Sequence, residues 1–266
     1  THKSSNGRGV YSFCMCPGGY VVNSSSEEQR LVVNGMSYSG RDSSTANSAI
    51  IVSVDTKDFG SDDALAGMRY QQELERKAFA LAINQQEIVD FVTKQKEEPA
   101  YGFVATGHPD DKGNDFRETN GDLIKTDIEA AKKLLEEGMA EEGYTTLPQV
   151  TLTYNTNDTH QKMAEAVQQM IKQNLGVDIA LENMESGVFG ERAQALEFQF
   201  FRSSFLADYG DPVNYLESFQ TGHSMNRTGW SNAKYDELIK EAKAEADEAK
   251  RFASLYEAEK ILMDEV

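Results

Sequence analysis

From Asp127 onward the apolar positions recur with regular periods. DIEAAKKLLEEGMAEEGY reads as a helix that Asp127 caps and Gly143 stops. LPQVTLTYN alternates, placing Val150, Leu152 and Tyr154 on one face of a strand, and HQKMAEAVQQMIKQNLG is an amphipathic helix ended by Gly176. VDIALENM supplies the next strand. Helix, strand, helix, strand with connections of this length predicts an α/β unit whose neighbouring strands run parallel under a cover of helices. SGVFGERAQALEFQFFRSS then predicts a short helix and an apolar strand over Phe198 to Phe201. Two more helices, NAKYDELIKEAKAEAD and EAKRFASLYEAEKILMDEV, close the sequence, which stops while still helical, as a partial chain would.

The front of the chain has a different texture. GVYSFCMCPGGYVVNSSS reads as strand, Pro-Gly-Gly turn and strand; LVVNGMSYSGRDSSTANSAIIVSVD gives two more, the last of them (Ala49 to Val54) apolar but for Ser53 and so suited to burial on both faces. Helical material begins at Asp62 to Leu65 and runs through GMRYQQELERKAFALAINQQEIVDFVTK. Leu74, Ala78, Leu81 and Ala82 share a face, and Asn84 is placed to break the run and cap a second segment, QQEIVDFV. EEPAYGFVATGHPDDKGNDFRETNGD, punctuated by Pro99, Gly102, Gly107, Pro109 and Gly113, reads as a long loop of the kind that carries function or wraps another lobe.

Size and charge narrow the classes. The 266 residues, 39% hydrophobic and 26% charged, suffice for one large or two ordinary domains. No apolar run is long enough to span a bilayer, and the opening THKSSNGRG is no secretory signal, so the sequence is expected to begin within a protein or after processing. A net charge of -18 disfavours nucleic acid, which requires a basic surface, and leaves peptides, cations or basic proteins as partners. Much of the acidity is interleaved with lysine in DELIKEAKAEADEAK, a solvated helix face. Cys14 and Cys16 are too close together for an easy disulfide. The four histidines (His2, His108, His160, His223) show no ligand spacing, so no metal is expected.

Dinucleotide, phosphate-loop, zinc-hydrolase and nucleophile-elbow motifs are all missing from the sequence. The acidic pairs Glu97/Glu98, Glu136/Glu137 and Glu141/Glu142 fall on polar positions and read as solvated. The chemistry concentrates in Ser203 to Phe219, SSFLADYGDPVNYLESF, where an acid follows an apolar strand end and a Tyr-Gly-Asp-Pro turn leads into a helix that Pro212 begins. Two readings of Asp208 compete: with Asp211 it caps the turn and helix, or it meets the amine of a ligand. Arg202 and Asp208 flank SSFLA, so a cation and an anion near one rim suit a zwitterion, unless the two bridge each other. Phe205 and Tyr209 can wall the same cleft or pack inward, and Trp230 in NRTGWSN faces the same choice.

These residues resemble a known family. From about Arg76 to Val266, RKAFALAINQQEIVDFV, YGFVATG, FLADYGDPVNYLESF, NRTGWSNAKYDELI and YEAEKILMDE are similar, in order, to the extracytoplasmic oligopeptide-binding proteins of ABC importers. The resemblance implies an α/β fold, the C-terminal lobe of a periplasmic-binding-protein-like architecture over 80–266, preceded by a β-rich segment over 1–79. It implies an oligopeptide ligand, importer membrane subunits as partners, an extracytoplasmic location, no catalysis and no cofactor. By the same resemblance Asp208 takes the peptide's α-amino group and Arg202 its carboxylate, with Phe205 where the family often has tryptophan. Residues 1 to about 79 resemble instead an interior piece of FAD-dependent dehydrogenase-like flavoproteins, through GRGVYSFCMCPGG, VVNGMSYSGRDSSTANSAIIVSV and LAGMRYQQELERKAF, but without that family's FAD-binding GxGxxG. The two patterns meet at RKAF, as in a chimera, natural or engineered. A fragment of a flavin-dependent oxidoreductase, an inactive recombinant, or one unfamiliar intact domain are the alternatives.

Overall fold

The computed structural model describes residues 9–11, 32–33, 36–39, 49–51, 74–94, 97–198 and 200–266. In chain order its elements are β1 (Gly9–Tyr11), β2 (Val32–Val33), β3 (Met36–Ser39), β4 (Ala49–Ile51), α1 (74–82), α2 (Gln85–Glu87), β5 (Glu98–Ala100), α3 (Phe116–Asn120) and α4 (Ile128–Glu142). β6 (Thr151–Asn155), α5 (Asp158–Leu175), β7 (Ala180–Met184), α6 (Ser186–Gln194), β8 (Phe200–Ser203), β9 (Phe205–Leu206), α7 (Pro212–Leu216), α8 (Ala233–Ala244) and α9 (Glu248–Glu265) follow. The strand expected after Pro17, Cys14 and Cys16, and the helical start at 62–65 lie outside the described residues.

Local chemistry sets the boundaries in the periodic half. Asp127 takes the Ala130 N–H at 3.0 Å to open α4, and Gly143 closes it at φ 70°, a left-handed conformation that only glycine adopts without strain. Asn157 opens α5 and Gly176 ends it in the same way, at φ 73°. Asn84 caps α2 as its position predicts, but the following residues Ile88–Thr93 wind as a π-helical turn rather than a plain α-helix.

The strands form two sheets. The larger has the order β2-β4-β8-β6-β7, with β6 parallel to both β8 and β7, as the βαβ pattern requires, and β4 antiparallel to β8. In the smaller, β5-β3-β1-β9, every pair is antiparallel. β6 lies inside its sheet with both faces covered, so Leu152, Thr153 and Tyr154 are all buried and the expected alternation gives way to continuous burial. The Thr153 hydroxyl is satisfied by donating to Glu182 of β7.

Some expectations need correcting. The strand predicted over Phe198–Phe201 pairs two residues later, as β8: Phe198 instead stacks on Phe189 at 5.0 Å in a cluster with Phe201. Glu97 is not solvated; it is buried and takes the Thr93 hydroxyl as a donor, while Glu98 is exposed as expected. The long loop contains a helix, α3, capped by Asp115. Phe103, Val104, Ala105 and Phe116 of that segment belong to the core, so it packs as a strap.

Candidate functional site

After Ser203 the chain leaves the larger sheet and joins the smaller at Phe205, where Val10 lies opposite it. Arg202 therefore stands on one sheet and Asp208 just beyond the other. The site is the seam between them.

On the Asp208 side, the turn is held from within. Asp211 caps α7 by accepting the Val213 N–H at 2.9 Å, and the Arg251 guanidinium grips both Asp211 oxygens at 2.7 Å. Tyr209 donates its hydroxyl to Glu217 at 3.0 Å, and Lys243 reaches the other Glu217 oxygen at 2.6 Å. Burial and this carboxylate push the Tyr209 phenol up. Burial alone would raise Glu217, but hydrogen bonds from Lys243, Tyr209 and Asn214 bring it below the ordinary carboxylate range. Asp208 differs from these neighbours. Its backbone N–H donates to Asn214 Oδ1 at 2.7 Å, and its exposed carboxylate accepts no hydrogen bond among the described residues. Asp211 thus has the capping role that the sequence offered to both acids.

On the other side, Arg202 is buried at the carboxyl end of β8, with Nη1 donating to Asn155 Oδ1 at 3.0 Å. Asn155 ends the parallel neighbour β6 and accepts at its carbonyl from His160 Nδ1, 3.3 Å away, in the first turn of α5. Burial and the nearby Arg202 charge hold His160 down to about 4, so its imidazole is neutral at pH 7. The carboxyl ends of parallel strands, a helix N-terminus and a buried guanidinium thus converge, a setting that favours an anion. Among the described residues, the Arg202 guanidinium is placed on Asn155 and not on Asp208.

Between the two, Phe205 is half-buried against Phe103 and Tyr215, with ring centroids 5.9 and 5.4 Å away, at the edge of a core aromatic cluster. Tyr209 and Leu206 keep nearly half of their surface exposed. Trp230 is 1% exposed, packs edge-on to Tyr235 at 4.8 Å and bonds Glu265, so it is a core residue and walls no cleft. Asn155, His160 and Asn214 were not singled out from the sequence. Asn155 and His160 could have been found by applying to β6 the strand-end argument that found Arg202, whereas Asn214 gives no sequence signal beyond its place in α7. Among the described residues no cluster of His, Cys, Asp and Glu could hold a metal, and no helix is long and apolar enough to cross a membrane.

Comparison with known proteins gives two overlapping results. The family model described as FAD-dependent protein, C-terminal domain-like, matches residues 1–153. The chain is also 57% identical over 196 residues to the dipeptide-binding protein DppE of Bacillus subtilis (strain 168), covering 74% of this chain and 36% of that protein. It is 33% identical over 189 residues to the periplasmic oligopeptide-binding protein OppA of Escherichia coli (strain K12), covering 70% and 34%. The structure of Listeria monocytogenes OppA bound to peptide superposes with a TM-score of 0.64 at 28% identity, covering 73% of this chain and 37% of that one. The chain spans about a third of the length of the curated relatives it matches. Because 196 residues exceed what remains outside 1–153, the two matches share part of the chain.

Proposed function

Since the chain belongs over residues 1–153 to the family of FAD-dependent proteins, C-terminal domain-like, and carries a segment of the oligopeptide- and dipeptide-binding protein family, we propose that it captures a short peptide without catalysis. The observation that carries this reading is the Asp208 carboxylate, exposed and accepting no hydrogen bond among the described residues, in a turn whose other acids are satisfied internally. Asp208 receives the peptide's α-ammonium group. Arg202, with neutral His160 beside it, draws the carboxylate, and Phe205 and Tyr209 flank the backbone between them. The reading extends to a role as the binding component of an ABC oligopeptide importer, outside the cytoplasm, working with the importer's membrane subunits. It divides the chain at 79/80 into a β-rich flavoprotein-like fragment and a partial α/β lobe.

Relatives of this kind enclose a ligand between lobes, and a third of their length supplies only part of that enclosure, so affinity is expected to be weak. Calorimetry with trialanine tests the assignment: Asp208→Ala is expected to abolish the heat of binding and Arg202→Ala to reduce it. Unchanged binding by Asp208→Ala would sink it.

The match over residues 1–153 favours a second reading, a fragment of a flavoprotein. The sequence lacks that family's GxGxxG, and among the described residues the helices α4, α5, α6, α8 and α9 each have one or two first-turn N–H groups taken by their own Asp, Asn or Glu cap. A visible absorption scan tests this second reading: a yellow protein would favour the flavoprotein and a colourless one would not.

A further inference from the structure

An acid on a turn makes a useful ligand contact only if the turn holds it in place, because the cost of ordering it otherwise comes out of the binding free energy. Residues 207–211 belong to no helix or strand. What ties Asp208 down is the side chain of Asn214, 6% exposed in α7, whose Oδ1 takes the Asp208 N–H at 2.7 Å. The Asn214 backbone N–H bonds the Asp211 carbonyl at 3.0 Å, and its Nδ2 leans toward Glu217 Oε1 at 3.4 Å, the oxygen that also accepts from Tyr209. One amide side chain therefore links the residue before Tyr209 to the acid that holds Tyr209. Arg251 fixes the far end of the turn through Asp211.

The consequence concerns charge as well as shape. The acids around the turn are each assigned: Asp211 to α7 and Arg251, Glu217 to Tyr209 and Lys243. Asn214 engages Asp208 only through its backbone, so the carboxylate stays open for a cation. An acid at position 214 would put a second negative charge beside Glu217. A hydrophobic residue there would leave the Asp208 N–H without its acceptor.

We propose that Asn214 is a positioning residue for peptide recognition, acting through Asp208 by fixing the backbone of the turn while leaving the carboxylate free. The inference rests on the assignment of Asp208 to the ligand's amine. Its test uses the full chain, with amide hydrogen exchange in the free protein and trialanine affinity read from amide shifts. The Asp208 amide is expected to be protected, and Asn214→Ala to raise its exchange about tenfold or more while the amides of α5 and β6 stay unchanged. Asn214→Ala is also expected to weaken trialanine about five- to tenfold, and to cost nothing further in an Asp208→Ala background. A fast-exchanging Asp208 amide, no loss of affinity from Asn214→Ala, or an equal loss in both backgrounds would overturn it. Failure of the reading beneath it looks different: Asp208→Ala alone then leaves trialanine binding unchanged while the exchange result stands, and the positioning role falls with it.

Discussion

Arg117 Nη1 and Glu259 Oε1 form an ion pair 2.5 Å long with both side chains almost wholly out of water. Glu259 also accepts the Val104 N–H at 2.8 Å and Asn120 Nδ2 at 2.7 Å, so one carboxylate of α9 fastens the strap between β5 and α4. Removing one partner leaves the other charge buried without compensation, which typically costs about 3–5 kcal/mol. Glu259→Ala is expected to lower the stability measured by urea unfolding by that order. Replacing Arg117 and Glu259 together with methionine should recover only part of the loss, because the Val104 N–H and Asn120 Nδ2 are then left without their acceptor.

Acidification should strip stability in a defined window. The Thr119 hydroxyl, with the Lys112 and Asn114 N–H groups, holds Asp110 at about 2 against a usual 3.8, outweighing the opposing effect of burial. Because the folded value is the lower one, this contribution is complete above about 4 and is lost as the pH falls toward 2. Thermal unfolding at a series of pH values should show that loss, and Asp110→Asn should flatten it.

His160 acts over a higher range. Burial, then Arg202, lowers its proton affinity in the folded chain, so between about 6.5 and 4 the unfolded chain binds the extra proton and stability declines as the pH drops through that range. NMR titration of the imidazole should give a midpoint near 4, moving up toward 6.5 in Arg202→Gln. A midpoint already near 6.5 in the unmodified chain would separate His160 from Arg202.

Much of the fold was legible because its signals are local. Asp127 and Gly143 bound α4 where a cap and a left-handed glycine must, and Asn84 caps α2 by the same chemistry. Burial was less legible, since it depends on what packs from elsewhere. Glu97 looks solvated beside Glu98 until Thr93 and the core close over it, and Trp230 is drawn inward by Tyr235 and Glu265. In the site, the acid and the arginine stood out by charge at strand ends. Asn214 and His160 did not, because an uncharged side chain shows its role only when the acceptor or guanidinium it meets is in view.

In the peptide capture we propose, Asp208 recognises a free α-amino group. The direct measurement is the affinity of the chain for trialanine against that for N-acetyl-trialanine, followed by the amide shifts of Asp208 and Tyr209. Acetylation is expected to weaken binding about tenfold or more, as follows when a charged hydrogen bond is lost, and Asp208→Ala to remove the difference. Equal affinities for the two peptides in the unmodified chain would contradict it.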